Sequence, residues 1–190
     1  MHRRMMIMTT AAIAAALTLA GCSTNTGSTA TPDEKKASIN KGIDQTMNTL
    51  YGSVAGSREL VAKARGVLVF PSVYEAAFGI GGEYGEGALR IGGATVGYYS
   101  TAAASFGFQG GAQSKALIYL FMTQEALENF KKSSGWTAGA DASVSLIKVG
   151  ANGTIDTSSV SNSVNAFALT NAGLFGGVNL NGSKISKKDF

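Results

Sequence analysis

Glycine within apolar segments is the feature that most constrains how this chain folds. The 190 residues include 25 Gly but only 2 Pro, which argues against a disordered Pro/Gly-rich chain. Across residues 78–121, glycines punctuate a series of segments that are rich in β-forming side chains. Glycines inside strands are typical of bulges, sharp bends and close backbone approach. The pattern predicts a small antiparallel sheet that curls strongly, in a barrel-like or sandwich-like way.

Three helices are expected beside this sheet. Thr31, Pro32 and Glu34 are typical of a helix start, as N-cap, first helical residue and partner in a capping box. Apolar residues then recur at spacings of four, four and three, which places them on one helix face. These residues are Ile39, Ile43, Met47 and Leu50. The first helix is therefore expected to be amphipathic.

Two shorter helices complete the predicted fold. Ser57 is expected to cap a helix over residues 58–65 that Gly66 ends. Thr123 is expected to cap an internal helix that carries Leu127 and Phe130 one turn apart. The run from Val67 to Phe70, closed by Pro71, is most simply a buried strand. The predicted fold class is α+β, with N-terminal helices and one internal helix packed on the curled antiparallel sheet.

The N-terminal segment has the organisation of a secretory signal. Arg3 and Arg4 precede an apolar run over residues 11–20, which is too short and wrongly flanked for a spanning helix. Leu19-Ala20-Gly21-Cys22 resembles the lipobox of bacterial lipoprotein precursors, in which the Cys is lipidated and becomes the first residue. The alternative is an ordinary secreted protein with an unrelated Cys.

This resemblance predicts three segments: a signal peptide over residues 1–21, a flexible linker over 22–31 and a folded domain over 32–190. Cys22 is the expected lipidation site. Ser23 follows the Cys, which by resemblance to enterobacterial sorting favours the outer membrane, on its periplasmic side or at the cell surface.

Composition excludes several classes of chemistry. Removal of residues 1–21 takes away Arg3, Arg4 and His2, which leaves a net charge of +2, too mild to argue for nucleic acid. Cys22, expected to be lipidated, is the sole Cys and His2 the sole His. The mature chain would therefore lack Ser-His-Asp and Cys-His catalysis and zinc sites of His or Cys. No catalytic, metal or cofactor site is predicted.

Weaker motifs are better explained by structure. Ser145 and Lys148 match the S-x-x-K pattern of penicillin-interacting enzymes, but they lie in a predicted strand and the partner motifs S-D-N and K-T-G do not occur. Glu83 and Glu86 are three apart on a predicted strand, which points them to opposite faces. They are therefore not expected to act as an acid/base pair. The glycine-rich stretches keep neither dinucleotide-binding nor P-loop spacing.

Cations concentrate in the two N-terminal helices. Their cationic residues are Lys35, Lys36, Lys41, Arg58, Lys63 and Arg65. Amphipathic helices with Lys on the polar face bind anionic membranes, so these six residues are the predicted lipid-binding residues. Acidic residues are interleaved with them, and an ordinary solvated face is the alternative. The apolar face of the first helix either inserts into the membrane or packs on the sheet.

Five blocks of the chain resemble SYLF domains. Residues 64–71, ARGVLVFP, are similar to the family's AKGVLIFP stretch. The glycine-rich block at residues 81–87 and further blocks at 107–113, 139–144 and 172–178 follow in the family's order. The resemblance covers roughly residues 34–186. One departure is Lys115, which stands where the family pattern has an acidic residue.

The resemblance implies a non-enzymatic protein that binds anionic phospholipid or phosphoinositide headgroups. Eukaryotic members bind phosphoinositides, some fungal members also bind actin, and bacterial members are often lipoproteins. The alternatives are a protein-interaction or structural envelope component, with actin as one candidate partner, and a carrier of an apolar ligand inside the curled sheet.

Overall fold

The computed structural model describes residues 30–150, 152–170, 173–174 and 179–190, with the side chains of 76–80, 105–112 and 173–174 left aside. The helices are α1 (Pro32–Ser53), α2 (Ser57–Lys63) and α3 (Gln124–Lys132), and a 3₁₀ turn spans Thr157–Ser159. The strands are β1 (Gly66–Ile91), β2 (Ala94–Phe121), β3 (Trp136–Thr137), β4 (Val144–Leu146), β5 (Val164–Thr170), β6 (Gly173–Leu174) and β7 (Lys184–Lys188). The fold is α+β, as predicted from the sequence.

The sheet is built around one long hairpin of β1 and β2. Strand order is β3-β7-β2-β5-β4, with β1 also paired to β2 and β6 to β5. The pairing is antiparallel except between β4 and β5, which are parallel, so the predicted antiparallel sheet is mixed at this edge. The two halves of β2 bond to different partners, β7 near Tyr98 and β5 near Phe121.

Glycines allow the hairpin to fold back on itself. A Cβ at Gly85 would lie 2.8 Å from the Ser72 carbonyl oxygen, and one at Gly87 would overlap the Val69 carbonyl oxygen. The second half of β1 therefore lies against its first half. Register shifts occur at residues 70–73 and 77–79, and bulges of this kind bend strands. The glycine-dependent curl predicted from the sequence is present.

Side chains along the hairpin alternate between two buried faces of the sheet. Leu68 and Phe70 join a cluster with Tyr119, Phe121, Phe130 and Trp136, while Val69 joins Ile118 and Leu120 beneath α1. Because successive side chains point to opposite faces, a continuous apolar run such as 67–70 indicates a strand covered on both sides. The strand continues past Pro71, which lies in the register shift between Phe70 and Val73.

α1 begins and packs as the sequence predicts. The Thr31 backbone N–H donates to Glu34 Oε2 over 2.7 Å, and the Glu34 N–H donates to Thr31 Oγ1 over 3.3 Å. The residues of its apolar face are buried against the sheet: Ile39, Ile43, Met47 and Leu50. Of the two alternatives for this face, packing on the sheet is therefore the one observed.

α2 differs from its predicted form. Its N-cap is Gly56, in the left-handed conformation, and Ser57 is the first helical residue. The buried Ser57 hydroxyl donates to the Val54 carbonyl over 2.6 Å, so it serves the end of α1 and does not cap α2. The helix ends at Lys63, which leaves Arg65 outside it, and Gly66 begins β1.

Candidate functional site

The six predicted cations separate into three groups. Lys35, Lys36 and Lys41 lie in the N-terminal half of α1. Arg65 lines a groove beside α1, and Arg58 stacks on Tyr51, which lines the same groove. Lys63 lies at the end of α2. Lys36 forms an ion pair with Asp33 at 3.7 Å. The other five cations form no ion pair with a described residue. The structure therefore shows which of these cations lie together, whereas the sequence gives only their number.

Arg65 and Arg90 line the same groove. It has a volume of about 560 Å³ and lies between α1, the α2–β1 link and the β1–β2 turn. Asp44, Asn48, Tyr51 and Arg90 line it with Arg65. We call it the arginine groove.

Arg58 belongs to this surface through Tyr51. Its guanidinium carbon lies 4.2 Å from the centroid of the Tyr51 ring, which is a cation–π arrangement. Burial raises the pKa of the Tyr51 hydroxyl above 10.0, while Arg58 and Arg90 act in the opposite direction. Since the raising effect prevails, the phenol stays protonated at neutral pH and remains a hydrogen-bond donor.

Arg90 is fixed in the groove by α1. Its Nη1 donates to Asp44 Oδ1 over 2.6 Å, and its Nη2 donates to the Asn40 carbonyl oxygen over 3.4 Å. The Arg90 side chain is 20% exposed and that of Asp44 is 62% exposed. Arg90 is thus held nearly buried, with a counter-ion that is itself open to solvent.

The β1–β2 turn closes the groove with backbone alone. Gly92 and Gly93 both line it and have φ values of 58° and 86°, the left-handed region that favours glycine. A Cβ at either position would meet no atom within 4 Å. The turn therefore needs glycine for its backbone conformation, and it leaves this side of the groove without side chains.

Lys63 faces a different surface. It lines a groove of about 570 Å³ with Glu59, Leu60, Ile155 and Val160, between α2 and the segment that precedes β5. A carboxylate and several apolar side chains surround it, so this region differs in chemistry from the arginine groove.

The S-x-x-K residues, which are not predicted to be catalytic, have a structural setting. Ser145 lies in β4 and accepts a 2.8 Å hydrogen bond from Asn162 Nδ2, while Lys148 is exposed beyond the strand. Because the segment is not helical, Ser145 and Lys148 lack the arrangement that S-x-x-K chemistry requires. Among the described residues, no group of three or more His, Cys, Asp or Glu is placed to hold a metal ion.

Glu83 and Glu86 have separate cationic partners. Lys115 Nζ lies 2.6 Å from Glu83 Oε1 and 3.7 Å from Glu75 Oε2. Glu86 pairs with Lys188 of β7. Lys115, the departure from the SYLF pattern, therefore neutralises charge between two segments of β1.

The predicted lipidation site, Cys22, lies outside the described residues, as do the signal peptide and most of the linker. No helix in the described part of the chain is long and apolar enough to cross a bilayer.

Comparison with known proteins gives one family. Residues 102–189, a little under half of the chain, match the Ysc84 family, described as "Las17-binding protein actin regulator". This match supports a SYLF-type domain. It begins in β2 and includes every later element, so it covers the part of β2 that pairs with β5 but only Ala102 of the part that pairs with β7. No match was found among curated proteins.

Sequence reasoning missed Arg90 as a site residue. It lies in a predicted strand, 25 residues after Arg65, and the pattern around it carries no cationic cluster. Only the fold-back of the hairpin and its contact with α1 bring Arg90 and Arg65 to one groove. The glycine pair after residue 91 indicates the turn, but not what the turn faces.

Proposed function

We propose that this protein is a membrane-anchored lipoprotein whose domain binds anionic phospholipid headgroups without catalysing a reaction. The observation that carries the proposal is the arginine groove, where Arg65 and Arg90 line a cavity beside Arg58. Phosphoinositides carry the same phosphate chemistry and belong to the same class of ligand.

The groove offers the chemistry that a phosphate group requires. A guanidinium presents a planar fork of donors that matches two phosphate oxygens. Arg65 forms no ion pair with a described residue, so a phosphate need not displace a carboxylate from it. The protonated Tyr51 hydroxyl and the Asn48 amide are additional donors at the same groove.

The lysines of α1 attract the domain to an anionic bilayer without binding a headgroup in a fixed geometry. Lys35 and Lys41 are exposed, and each cation close to an anionic bilayer contributes about 1 kcal/mol at physiological salt. This attraction decays within about 8 Å at 0.15 M salt. We expect Lys35, Lys36 and Lys41 to orient the domain, and Lys63 to contribute less because Glu59 is beside it.

Lipid attached at Cys22 would keep the domain near the bilayer through the linker of residues 22–31. A tethered domain binds headgroups at a high effective concentration, so weak intrinsic affinity suffices. Docking would use the polar surface alone, since the apolar face of α1 is buried against the sheet. The proposed location is the outer membrane.

A protein partner is the second candidate function. The description of the matched family names binding to Las17 and regulation of actin, which makes actin or another protein a partner to test. The carrier alternative receives less support. In the described part of the chain, Phe70, Tyr119, Phe121 and Trp136 fill the space beside the folded hairpin.

Vesicle co-sedimentation tests the lipid proposal. The protein is the chain from residue 22 onward with Cys22→Ser, so that no acyl chain contributes. We expect it to bind phosphatidylcholine vesicles that contain phosphatidylglycerol, to bind pure phosphatidylcholine weakly, and to lose binding as salt rises. The double variant Arg58→Gln/Arg65→Gln should bind about thirtyfold more weakly, at about 1 kcal/mol per charge.

The matched control is Lys131→Gln/Lys132→Gln in the last turn of α3. It removes the same charge from residues that line none of the described grooves. Equal loss in both double variants would show that net charge alone drives binding. Unchanged binding by the Arg58/Arg65 variant, with an unchanged circular dichroism spectrum, would exclude the arginine groove as the lipid site.

A further inference from the structure

Two exposed tyrosines share a second groove on the opposite side of the N-terminal half of α1. Tyr74 is 65% exposed and Tyr84 is 48% exposed. With Val96, they are the large hydrophobic side chains that the described surface exposes. Both tyrosines line a groove of about 550 Å³ with Ser38, Lys41, Gln45 and Glu86. We call it the tyrosine groove.

The fold-back of β1 brings the two tyrosines together. Tyr74 lies in the first half of the strand and Tyr84 in the second. Gly85 packs its backbone on Ser72 and Val73, where a Cβ would be 2.8 Å from the Ser72 carbonyl oxygen. The close contact at Gly85 therefore sets the two aromatic rings on adjoining segments.

Tyr84 is held in place although its ring is open to solvent. Its hydroxyl donates to Glu86 Oε1 over 2.9 Å and accepts from Lys188 Nζ over 3.0 Å. Lys188 is in turn bonded to the Glu86 carboxylate. An exposed ring fixed in this way is pre-organised for a ligand, because less side-chain entropy is lost on binding.

The remaining lining limits the class of ligand. Ser38, Gln45 and Ser72 are neutral groups that both donate and accept hydrogen bonds. The charged side chains of the lining are Lys41 and Glu86, which have opposite sign, so the groove has no excess of positive charge for a purely anionic ligand. A purely apolar ligand would bury these polar groups without partners. A saccharide is neither purely anionic nor purely apolar, since its ring has an apolar C–H face that packs on an aromatic ring and hydroxyl groups around its edge.

We propose that the tyrosine groove binds a saccharide chain, with Tyr74 and Tyr84 as stacking platforms. Gln45, Ser38 and Ser72 supply hydrogen bonds to ring hydroxyl groups, and Glu86 and Lys188 hold Tyr84 in position. This site is distinct from the arginine groove, and Lys41 is the lining residue that it shares with the proposed membrane-facing lysines.

The test is an NMR titration of the chain from residue 22 with Cys22→Ser. The probes are chitotetraose, cellotetraose and maltotetraose, which differ in linkage and substituents. We expect at least one to shift the amide signals of residues around 72–74 and 84–86. Tyr74→Ala/Tyr84→Ala should weaken that binding at least about tenfold, while Tyr74→Phe should retain it because the ring remains.

Val96→Ala is the matched control, as it removes another exposed apolar side chain that lies outside this groove. It should bind the same saccharide as the parent does, and so should Arg58→Gln/Arg65→Gln. The proposal is overturned if none of the three probes shifts these signals. It is also overturned if Tyr74→Ala/Tyr84→Ala weakens vesicle binding alone, since the groove would then be part of the membrane surface.

Discussion

Arg90 at the end of β1 reaches back over the chain to Asp44 in the middle of α1, with 2.6 Å between Nη1 and Oδ1. The pair joins the β1–β2 hairpin to the helix that covers it. Because the Asp44 carboxylate is open to solvent, the pair contributes about 0–1 kcal/mol to stability. Its larger effect is on position. It holds the Arg90 guanidinium at the wall of the arginine groove, beside the Asp44 carboxylate, which would compete with a phosphate group for it.

Asp44→Asn should strengthen binding to anionic vesicles. The substitution removes a negative charge from the groove, while the Asn side chain can still accept a hydrogen bond from Arg90. One unit of charge near an anionic bilayer corresponds to about 1 kcal/mol, or about fivefold in Kd. Co-sedimentation at several salt concentrations measures the change.

Asp33→Asn is the matched control for this prediction. Asp33 is also an exposed carboxylate on α1 with a cationic partner, Lys36 at 3.7 Å, but it does not line the arginine groove. We expect a smaller gain in affinity from Asp33→Asn. Equal gains from the two substitutions would mean that the groove has no special part in binding.

Local signals in the sequence were sufficient for much of the fold. The capping box at Thr31, the periodic apolar face of α1 and the apolar run of residues 67–70 each depend on neighbours in the chain. The parallel pairing of β4 with β5 and the passage of β1 through Pro71 depend on tertiary packing. For that reason, no local pattern indicated them.

Gly87→Ala should destabilise the protein, because a Cβ at Gly87 would overlap the Val69 carbonyl oxygen. The methyl group would push apart the two halves of β1, and overpacking of this kind costs about 1–3 kcal/mol. Thermal unfolding should show a lower Tm. Gly82→Ala in the same strand is the control, since its Cβ would be 3.7 Å from the nearest atom. A Tm for Gly87→Ala as high as that of the control would contradict the fold-back.

Stability should depend on pH through Glu86 and Lys188. Burial would raise the pKa of Glu86, but hydrogen bonds from Lys188 and Tyr84 outweigh it and hold the pKa below 4.5. Hydrogen bonds to Glu86 and Tyr84 raise the pKa of Lys188 above 10.5. A depressed carboxyl pKa stabilises the fold above the unfolded value and loses this effect as pH falls through the folded value. The raised amine pKa stabilises the fold below about 10.5 and loses its effect as pH rises through the folded value.

In Glu86→Gln, the free energy of unfolding should therefore fall less steeply as the pH drops below about 4.5, so that the acid limb of its pH profile is flatter. Urea unfolding at a series of pH values measures it. Glu59→Gln is the control, since Glu59 is exposed on α2 and forms no ion pair with a described residue. If the acid limbs of the two variants coincide, Glu86 does not contribute in this way.

Less of the candidate site than of the fold could be predicted from the sequence. The abundance of cations in residues 35–65 was visible, but their division among three surfaces was not, because the helix boundaries decide it. Arg65 reaches the groove because α2 ends at Lys63. Arg90, Tyr74 and Tyr84 come from the folded hairpin, and their positions follow from contacts between segments that are distant in sequence.

The anchor is tested by Cys22→Ser in the full chain. Leu-Ala-Gly-Cys predicts lipid on Cys22, and each buried CH₂ contributes about 0.8 kcal/mol, so that two or more acyl chains hold a protein stably on a membrane. High salt screens the attraction between cations and headgroups but leaves acyl insertion intact. The parent should therefore remain in the membrane fraction after a high-salt wash, and the variant should be released. Mass spectrometry should find acyl groups on Cys22 of the parent, and an unmodified Cys22 in protein taken from cells would exclude the lipoprotein assignment.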